Sequence, residues 1–185
     1  MTTTIDTPRA PAFEASRSLR EIVEAIWAGR ELPPPMAGGA ITPRWMGPGL
    51  LYLLDNPADL EAVTLKLALA TSSFTPNIDT TDFRDDFTAN ELSNASGYTT
   101  GGVTLTGVTW SYDSASDQVR IDFDDPSWTF SGTRTWRYGP LYIDTAGADS
   151  TDPVVGYLDW GTDQTVSTPY TLTIDPAGLL YIDIT

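Results

Sequence analysis

Most of the chain alternates apolar and polar residues with the period of two that is typical of β-strands. In residues 63–70, Val and Leu occupy every second position and define one face, while Thr, Lys and Ala define the other. Seven later segments are rich in β-branched and aromatic residues and are separated by turn residues. They cover residues 103–113, 118–124, 127–130, 133–144, 154–161, 170–175 and 179–185. This spacing predicts a mainly β chain, with an antiparallel β-sandwich or jelly-roll-like domain over residues 50–185.

Two short stretches of this domain depart from the alternating pattern. Residues 50–54 suit either a strand or a helix, and one helical turn is predicted near residues 83–87. A cluster of glycines, Gly97, Gly101 and Gly102, follows in "SGYTTGG", where a positive φ or a close backbone contact is expected. We interpret these glycines as a structural turn that leads into a strand.

The N-terminal region has helical periodicity instead. One apolar stripe is formed by Leu19, Ile22, Val23, Ile26 and Trp27. Ser18 and Glu21 have the spacing of a capping box, so a short amphipathic helix is predicted over residues 18–30, after a flexible arm at residues 1–17. A helix of about three turns is not stable alone in water, so its stripe must be buried against another surface.

A Pro/Gly-rich linker is predicted over residues 31–49, between the helix and the β domain. Two interpretations of the helix remain open at this point: it packs on its own β domain, or it docks on a neighbouring subunit or a host surface. A linker of this composition decouples the two parts and favours docking. The candidate interface residues are the five of the stripe together with Pro33, Pro34, Pro35 and Trp45.

Composition excludes several kinds of function. The formal net charge of −15 repels phosphate backbones, so we expect no nucleic-acid binding by the folded domain. An acidic surface keeps a protein soluble or complements a basic partner. The chain has no Cys and no His, which excludes disulfides, thiolate or imidazole metal sites, and a nucleophile activated by His. We therefore expect no cofactor.

The sequence shows no sign of export or membrane insertion. Its first residues lack the basic flank and apolar run of a signal peptide, and no stretch approaches the roughly 20 apolar residues that span a bilayer. We expect a soluble protein that is made in a cytoplasm and has no membrane partner.

Three acidic clusters are candidate sites for a hard cation such as Ca²⁺. They are Asp79-Asp82-Asp85-Asp86, Asp122-Asp124-Asp125, and Asp159 with Asp163. The first lacks the Gly and Glu of an EF-hand loop, and Asp122 and Asp124 alternate with apolar residues on the outer face of a predicted strand. Paired carboxylates also hydrolyse glycosides, but proximity in sequence does not set the separation which that reaction requires. We predict no metal site and no enzymatic activity.

Aromatic residues at alternating strand positions are a further candidate, as a sugar-binding platform. They are Trp110, Tyr112, Trp128, Trp136 and Tyr138. Side chains at such positions more often pack in the core or pair across strands, and we predict packing here.

Residues 62–185 carry a series of short motifs: a Leu-rich strand, a Phe-Asp segment, "GY…GG…L", a Tyr-Asp strand, an acidic strand with Trp, "LY.DT" and "GY.DWG". They correspond to Leu65 to Leu69, Phe83, Gly97-Tyr98, Gly101-Gly102, Leu105, Tyr112-Asp113, Trp128, Leu141-Tyr142, Gly156-Tyr157 and Asp159-Trp160-Gly161. In these motifs the chain resembles a family of tailed-bacteriophage virion proteins.

The resemblance implies a non-enzymatic structural component of the virion, and it supplies no catalytic residues. Our first expectation is a capsid decoration (cement) protein on the outer capsid surface, with the major capsid protein of the same phage as its partner and a homo-oligomer, a trimer favoured. The N-terminal helix and its linker would then fasten neighbouring subunits together. A minor tail or fibre-base protein is the first alternative, and a host-surface carbohydrate-binding module is the second.

Overall fold

The computed structural model describes residues 41–56, 63–174 and 178–183. The strands are β1 (Thr42–Trp45), β2 (Leu65–Leu67), β3 (Val103–Thr104), β4 (Thr109–Asp113), β5 (Gln118–Asp122), β6 (Ser127–Trp128), β7 (Arg134–Ile143), β8 (Val154–Val166), β9 (Tyr170–Thr171) and β10 (Leu180–Asp183). The helices are α1 (Gly47–Asp55) and α2 (Asp85–Thr88), with a 3₁₀ turn at Asp149–Thr151. All strand pairs of the described residues are antiparallel, which confirms the mainly β class predicted from the sequence.

Three sheets share one apolar core. A five-stranded sheet has the order β1–β8–β7–β2–β3, and it is complemented by a three-stranded sheet, β10–β5–β4, and a two-stranded sheet, β6–β9. The five-stranded sheet contributes Leu67, Leu141 and Leu158 to this core, and the smaller sheets contribute Ile121 and Trp128. The alternation of apolar and polar residues along the strands therefore leads to the antiparallel sandwich expected from it.

The other face of the five-stranded sheet is also covered. Ala68 and Ala70 alternate with the core leucines of the same segment and are fully buried in a second cluster. The remaining buried members of that cluster are Met46, Phe74, Phe87, Tyr142, Val154 and Tyr157. Phe74 and Phe87 come from the long connection between β2 and β3, which contains α2. We call this connection the lid, because it covers this face of the sheet. The helical turn predicted near residues 83–87 is confirmed as α2.

The N-terminal boundary of the domain differs from the prediction. Residues 42–49, which the sequence assigns to the linker, form β1 and the start of α1, and β1 pairs with β8 from Thr42↔Asp159 to Trp45↔Gly156. The flexible arm, the amphipathic helix and residues 31–40 lie outside the described residues. Pro and Gly do not signal a linker here, because Pro48 occupies the first turn of α1, where a missing N–H costs nothing.

Gly49 explains how closely α1 approaches the sheet. A Cβ at this position would lie 2.0 Å from the carbonyl oxygen of Val154 and 2.5 Å from the Cα of Val155. Only glycine permits this contact, and it brings Leu50 and Leu53 into buried positions. Residues 50–54, left open between strand and helix, are thus helical. Neither of the helices described here is long and apolar enough to cross a membrane.

Candidate functional site

Of the residues predicted to form an interface, the structure describes only Trp45; Leu19, Ile22, Val23, Ile26, Trp27, Pro33, Pro34 and Pro35 lie outside the described residues. Trp45 belongs to the folded domain. Its ring stacks on Trp110 with centroids 6.0 Å apart, and its indole N–H donates a hydrogen bond of 2.9 Å to the carbonyl oxygen of Tyr181. Trp45 therefore ties β1 to the three-stranded sheet and does not lie in a free linker.

The glycine-rich turn has the geometry that the sequence suggested. Gly97, Gly101 and Gly102 all have positive φ, at 83°, 96° and 73°. A Cβ at Gly102 would lie 2.1 Å from the carbonyl oxygen of Leu67, so this turn presses directly on β2. The turn is a structural element of the domain, as interpreted from the sequence.

The sequence did not reveal a buried polar network at this turn, centred on Glu91. The Glu91 side chain is 1% exposed. Its Oε1 accepts hydrogen bonds from the Tyr98 hydroxyl at 2.7 Å and from the Gly101 N–H at 2.6 Å. The Tyr98 hydroxyl in turn accepts the N–H of Leu69 at 3.0 Å, and the Tyr142 hydroxyl donates to the carbonyl oxygen of Gly101 at 2.7 Å. Strand β7, the segment that follows β2 and the loops that hold Glu91 and Gly101 are thus joined in one network around this carboxylate.

Arg84 supplies the positive charge of this network. Its Nη2 lies 3.5 Å from Oε2 of Glu91, its Nη1 forms an ion pair with Asp149, and its guanidinium lies 5.4 Å from the ring centroid of Tyr142. Burial, and then the charge of Glu91, raise the pKa of Tyr98. Burial also raises the pKa of Tyr142, against the opposing effect of Arg84. Both phenols therefore stay protonated and serve as hydrogen-bond donors, which suits a structural role.

The acidic clusters are used in local structure. Oδ2 of Asp86 accepts the N–H of Asp82 at 2.9 Å, Oδ1 of Asp125 accepts the N–H of Ile174 at 2.7 Å, and Asp159 forms an ion pair with Arg137 at 3.1 Å. Burial, and then Asp86, raise the pKa of Asp82. Within residues 41–56, 63–174 and 178–183, no three acidic side chains are grouped so that they could hold a metal ion.

Of the five aromatic residues considered as a platform, Trp128 and Trp136 are in the core, and Trp110 and Tyr138 are partly buried against it. Trp128 and Trp136 are 3% and 0% exposed, and Trp136 packs edge-on against Trp160 and Tyr170. Tyr112 is different, because it is 58% exposed on β4. A single exposed ring does not make the flat multi-ring surface on which a sugar stacks.

The most prominent apolar surface of the described residues lies on α1. Leu51 and Leu54, one helical turn apart, are 41% and 37% exposed. Beside them is a groove of about 240 Å³, which we call the α1 groove; it is lined by Pro48, Leu51, Tyr52, Asp55, Asn56, Asp82, Phe83 and Pro153. The sequence feature that indicates this apolar surface is the run "LLYLL" at residues 50–54. A helix that is apolar on all sides must bury more than one face.

No family model, curated protein or solved structure matches this chain.

Proposed function

We propose that this chain is a non-enzymatic structural protein of a tailed-bacteriophage virion that decorates the outer capsid surface. It is made in the host cytoplasm and joins the shell, where its β domain binds the major capsid protein. The N-terminal segment fastens copies of the chain to one another, as a homo-oligomer for which a trimer is the favoured state. This proposal rests on the motif pattern of residues 62–185 and on the distribution of side chains in the domain.

The observation that carries the proposal is the burial of the aromatic set. A carbohydrate-binding module presents tryptophans to solvent, whereas Trp128, Trp136 and Trp160 are at most 5% exposed here. The ionisable groups with the most contacts, Glu91 and Arg84, also face inward and bind the domain's own loops. What the described surface offers a partner is an apolar helix face and negative charge, which suit protein–protein assembly.

The experiment that tests the proposal is a measurement of copy number. Quantitative mass spectrometry of purified virions would compare this chain with the major capsid protein. A ratio near one chain for each capsid chain is the expected result, because a decoration protein occupies repeated shell positions. A handful of copies in each particle would overturn decoration and favour the minor tail or fibre-base alternative.

A second measurement addresses the shell directly. Purified chain is incubated with shells that lack it, and the shells are sedimented. Decoration predicts saturable co-sedimentation with a plateau in proportion to the capsid chains. Absence of binding would contradict the proposal even if the chain is abundant in virions.

A further inference from the structure

The α1 groove has the composition of a docking site for an apolar segment. Its walls are the side chains of Pro48, Leu51, Tyr52, Phe83 and Pro153, and Leu54 extends the apolar surface along the helix. The opposite face of α1 is fixed on β8 by Gly49, so the exposed leucines cannot turn inward without breaking that contact. The apolar face of a helix that cannot rotate stays exposed to water. A partner that covers this face lowers the free energy of the system, because apolar surface is removed from water.

The rim of the groove limits which partner fits. Asp55 and Asp82 line it, and within the described part of the chain neither carboxylate forms an ion pair with a cation. Two copies of the groove placed face to face would bring these carboxylates together, which is unfavourable. The occupant therefore needs apolar side chains without an excess of negative charge.

The chain itself contains a segment of this chemistry. Residues 18–30 contain the apolar stripe, and their charges, Arg20 and Arg30 against Glu21 and Glu24, cancel. The first 30 residues hold four arginines and four acidic residues, so the formal charge of −15 resides in the remainder of the chain. The N-terminal segment is thus formally neutral in an acidic protein, so it avoids the repulsion that an acidic partner would meet at the carboxylates of the groove.

The spacing along the chain favours a groove on another copy. Residues 31–41 separate the segment from β1 and include three consecutive prolines. At about 3 Å per residue a spacer of this length reaches at most roughly 30 Å, comparable with the width of a domain of this size. The three prolines also restrict how sharply the backbone can fold back, which favours the groove of a neighbouring copy over that of the same copy.

We propose that the α1 groove binds residues 18–30 of a second copy of this chain. The contact is heterologous, with the segment of one copy on the groove of the next, and closes into a ring when the rotation between copies permits. This inference rests on the assembly role proposed above, and it names the surface that receives the fastening segment. Its test uses the purified full-length chain without capsid, so its failure is separate from a failure to find the chain on the shell.

The chain has no cysteine, so only the introduced cysteines can form a disulfide. Disulfide crosslinking between copies therefore tests the proposed contact. A Leu54→Cys chain and an Ile26→Cys chain, distinguished by mass, are mixed and mildly oxidised. We expect the mixed dimer to predominate over both homodimers. Predominant Leu54→Cys homodimers would show that grooves meet each other, and predominant Ile26→Cys homodimers that the segments pair together; either result overturns the proposal. A Tyr112→Cys chain is the matched control, since it is exposed on β4, and mixed with Ile26→Cys it should give no such excess.

A chain carrying both cysteines separates the intermolecular contact from the intramolecular one. Crosslinked oligomers are expected from Leu54→Cys/Ile26→Cys, whereas a crosslinked monomer at low concentration would overturn the role of the second copy.

Sedimentation equilibrium of the full-length chain measures the affinity of its self-association. Leu51→Asp should raise the dissociation constant of self-association on the order of tenfold or more, because the burial of one leucine is lost. Tyr112→Asp should leave the constant unchanged, and an equal constant for wild type and Leu51→Asp would overturn the proposal.

Discussion

The hydroxyl of Tyr98 donates a 2.7 Å hydrogen bond to the carboxylate of Glu91, seven residues earlier in the chain, inside the lid on the five-stranded sheet. The same hydroxyl accepts the N–H of Leu69, so the pair connects the lid to the segment that follows β2. A carboxylate in this position carries a large desolvation cost, which its three polar partners offset. A conservative substitution of either residue is therefore expected to lower the free energy of unfolding of the domain.

We expect Glu91→Gln to lower the free energy of unfolding by about 1–3 kcal/mol, because Arg84 loses its most buried partner and keeps only Asp149, and the hydrogen bonds from Tyr98 and Gly101 lose their charged acceptor. Tyr98→Phe should cost about 1–3 kcal/mol, because Glu91 and the Leu69 N–H each lose a partner. Urea unfolding of both variants and of the double variant measures these values and the coupling between the two positions. The double variant should be less destabilised than the sum of the single variants, with a coupling of about 0.5–3 kcal/mol.

The control for this cycle is Asp163→Asn. Its carboxylate accepts a 3.4 Å hydrogen bond from the hydroxyl of Ser72 on the exposed surface, so the change should stay within about 0.5 kcal/mol. If Glu91→Gln unfolds at the same urea concentration as Asp163→Asn, the network does not stabilise the domain as described.

Gly49→Ala tests the contact between α1 and β8. The added methyl group would meet the backbone of Val154 and Val155, so α1 must move away from the sheet. Overpacking against backbone predicts a loss of about 1–3 kcal/mol of stability in thermal or urea unfolding, although alanine is the better helix former. Gly132→Ala is the matched control, because the added methyl group there meets only the side chain of Ser96, which can rotate. An equal effect of the two substitutions would contradict the close contact.

The ion pair between Lys66 and Asp144 makes a prediction about acid stability. The hydrogen bond from Lys66, and then that from the N–H of Ala146, hold the pKa of Asp144 below its ordinary value of 3.8. A carboxyl with a lowered folded-state pKa contributes stability that is present above its unfolded pKa and is lost as the pH falls through the folded value. Wild type should therefore exceed Asp144→Asn in stability at pH 6 by at most about 1 kcal/mol, since the pair is partly exposed.

The difference between the two proteins should shrink as the pH falls below the ordinary Asp pKa of 3.8, and should vanish once Asp144 is protonated in the folded state as well. Urea unfolding across pH 2.5–6 measures the difference. A difference that is constant with pH would show that the substitution acts through packing and not through the charge.

Removal of residues 1–35 should leave the β domain folded, because every described strand and helix lies after residue 41. The truncated chain should melt as a cooperative unit and should fail to co-sediment tightly with capsid shells. The double substitution Ile22→Asp/Ile26→Asp should give the same loss of binding in the full-length chain. Undiminished binding by the truncated chain would contradict a fastening role, and unfolding or aggregation would place the segment in the core of its own domain.

The strands could be predicted because their determinants are local. The alternation in residues 63–70 shows which side chains share one face of a strand, and the turn residues between later segments show where strands end. Neither pattern depends on what the sheet packs against. The start of α1 was assigned to the linker, and residues 50–54 were left open between strand and helix, for a physical reason. Pro48 and Gly49 usually interrupt helices, but here one begins the helix and the other permits its contact with β8.

The Glu91 network could not be predicted from the same pattern. Its members come from the residue before α2, the glycine turn and β7. Only the tertiary fold brings Arg84 and Gly101 to the carboxylate, and Tyr142 to Gly101. The glycine turn itself was recognisable, because positive φ restricts the residue type at each position. The α1 groove depended equally on the fold, since Phe83 and Pro153 are distant in sequence from the helix they face.

The five-stranded sheet is packed on both faces, and this affects how the sequence can change over evolutionary time. A substitution at Val154–Leu158 of β8 meets a packed core on whichever side it points, so neither face offers neutral positions there. In β4 and the outer half of β8 many side chains are exposed, so substitutions there change the stability of the fold only slightly. Lineages descended from a common ancestor should therefore retain the interior of the five-stranded sheet, while β4 and the outer half of β8 diverge beyond recognition.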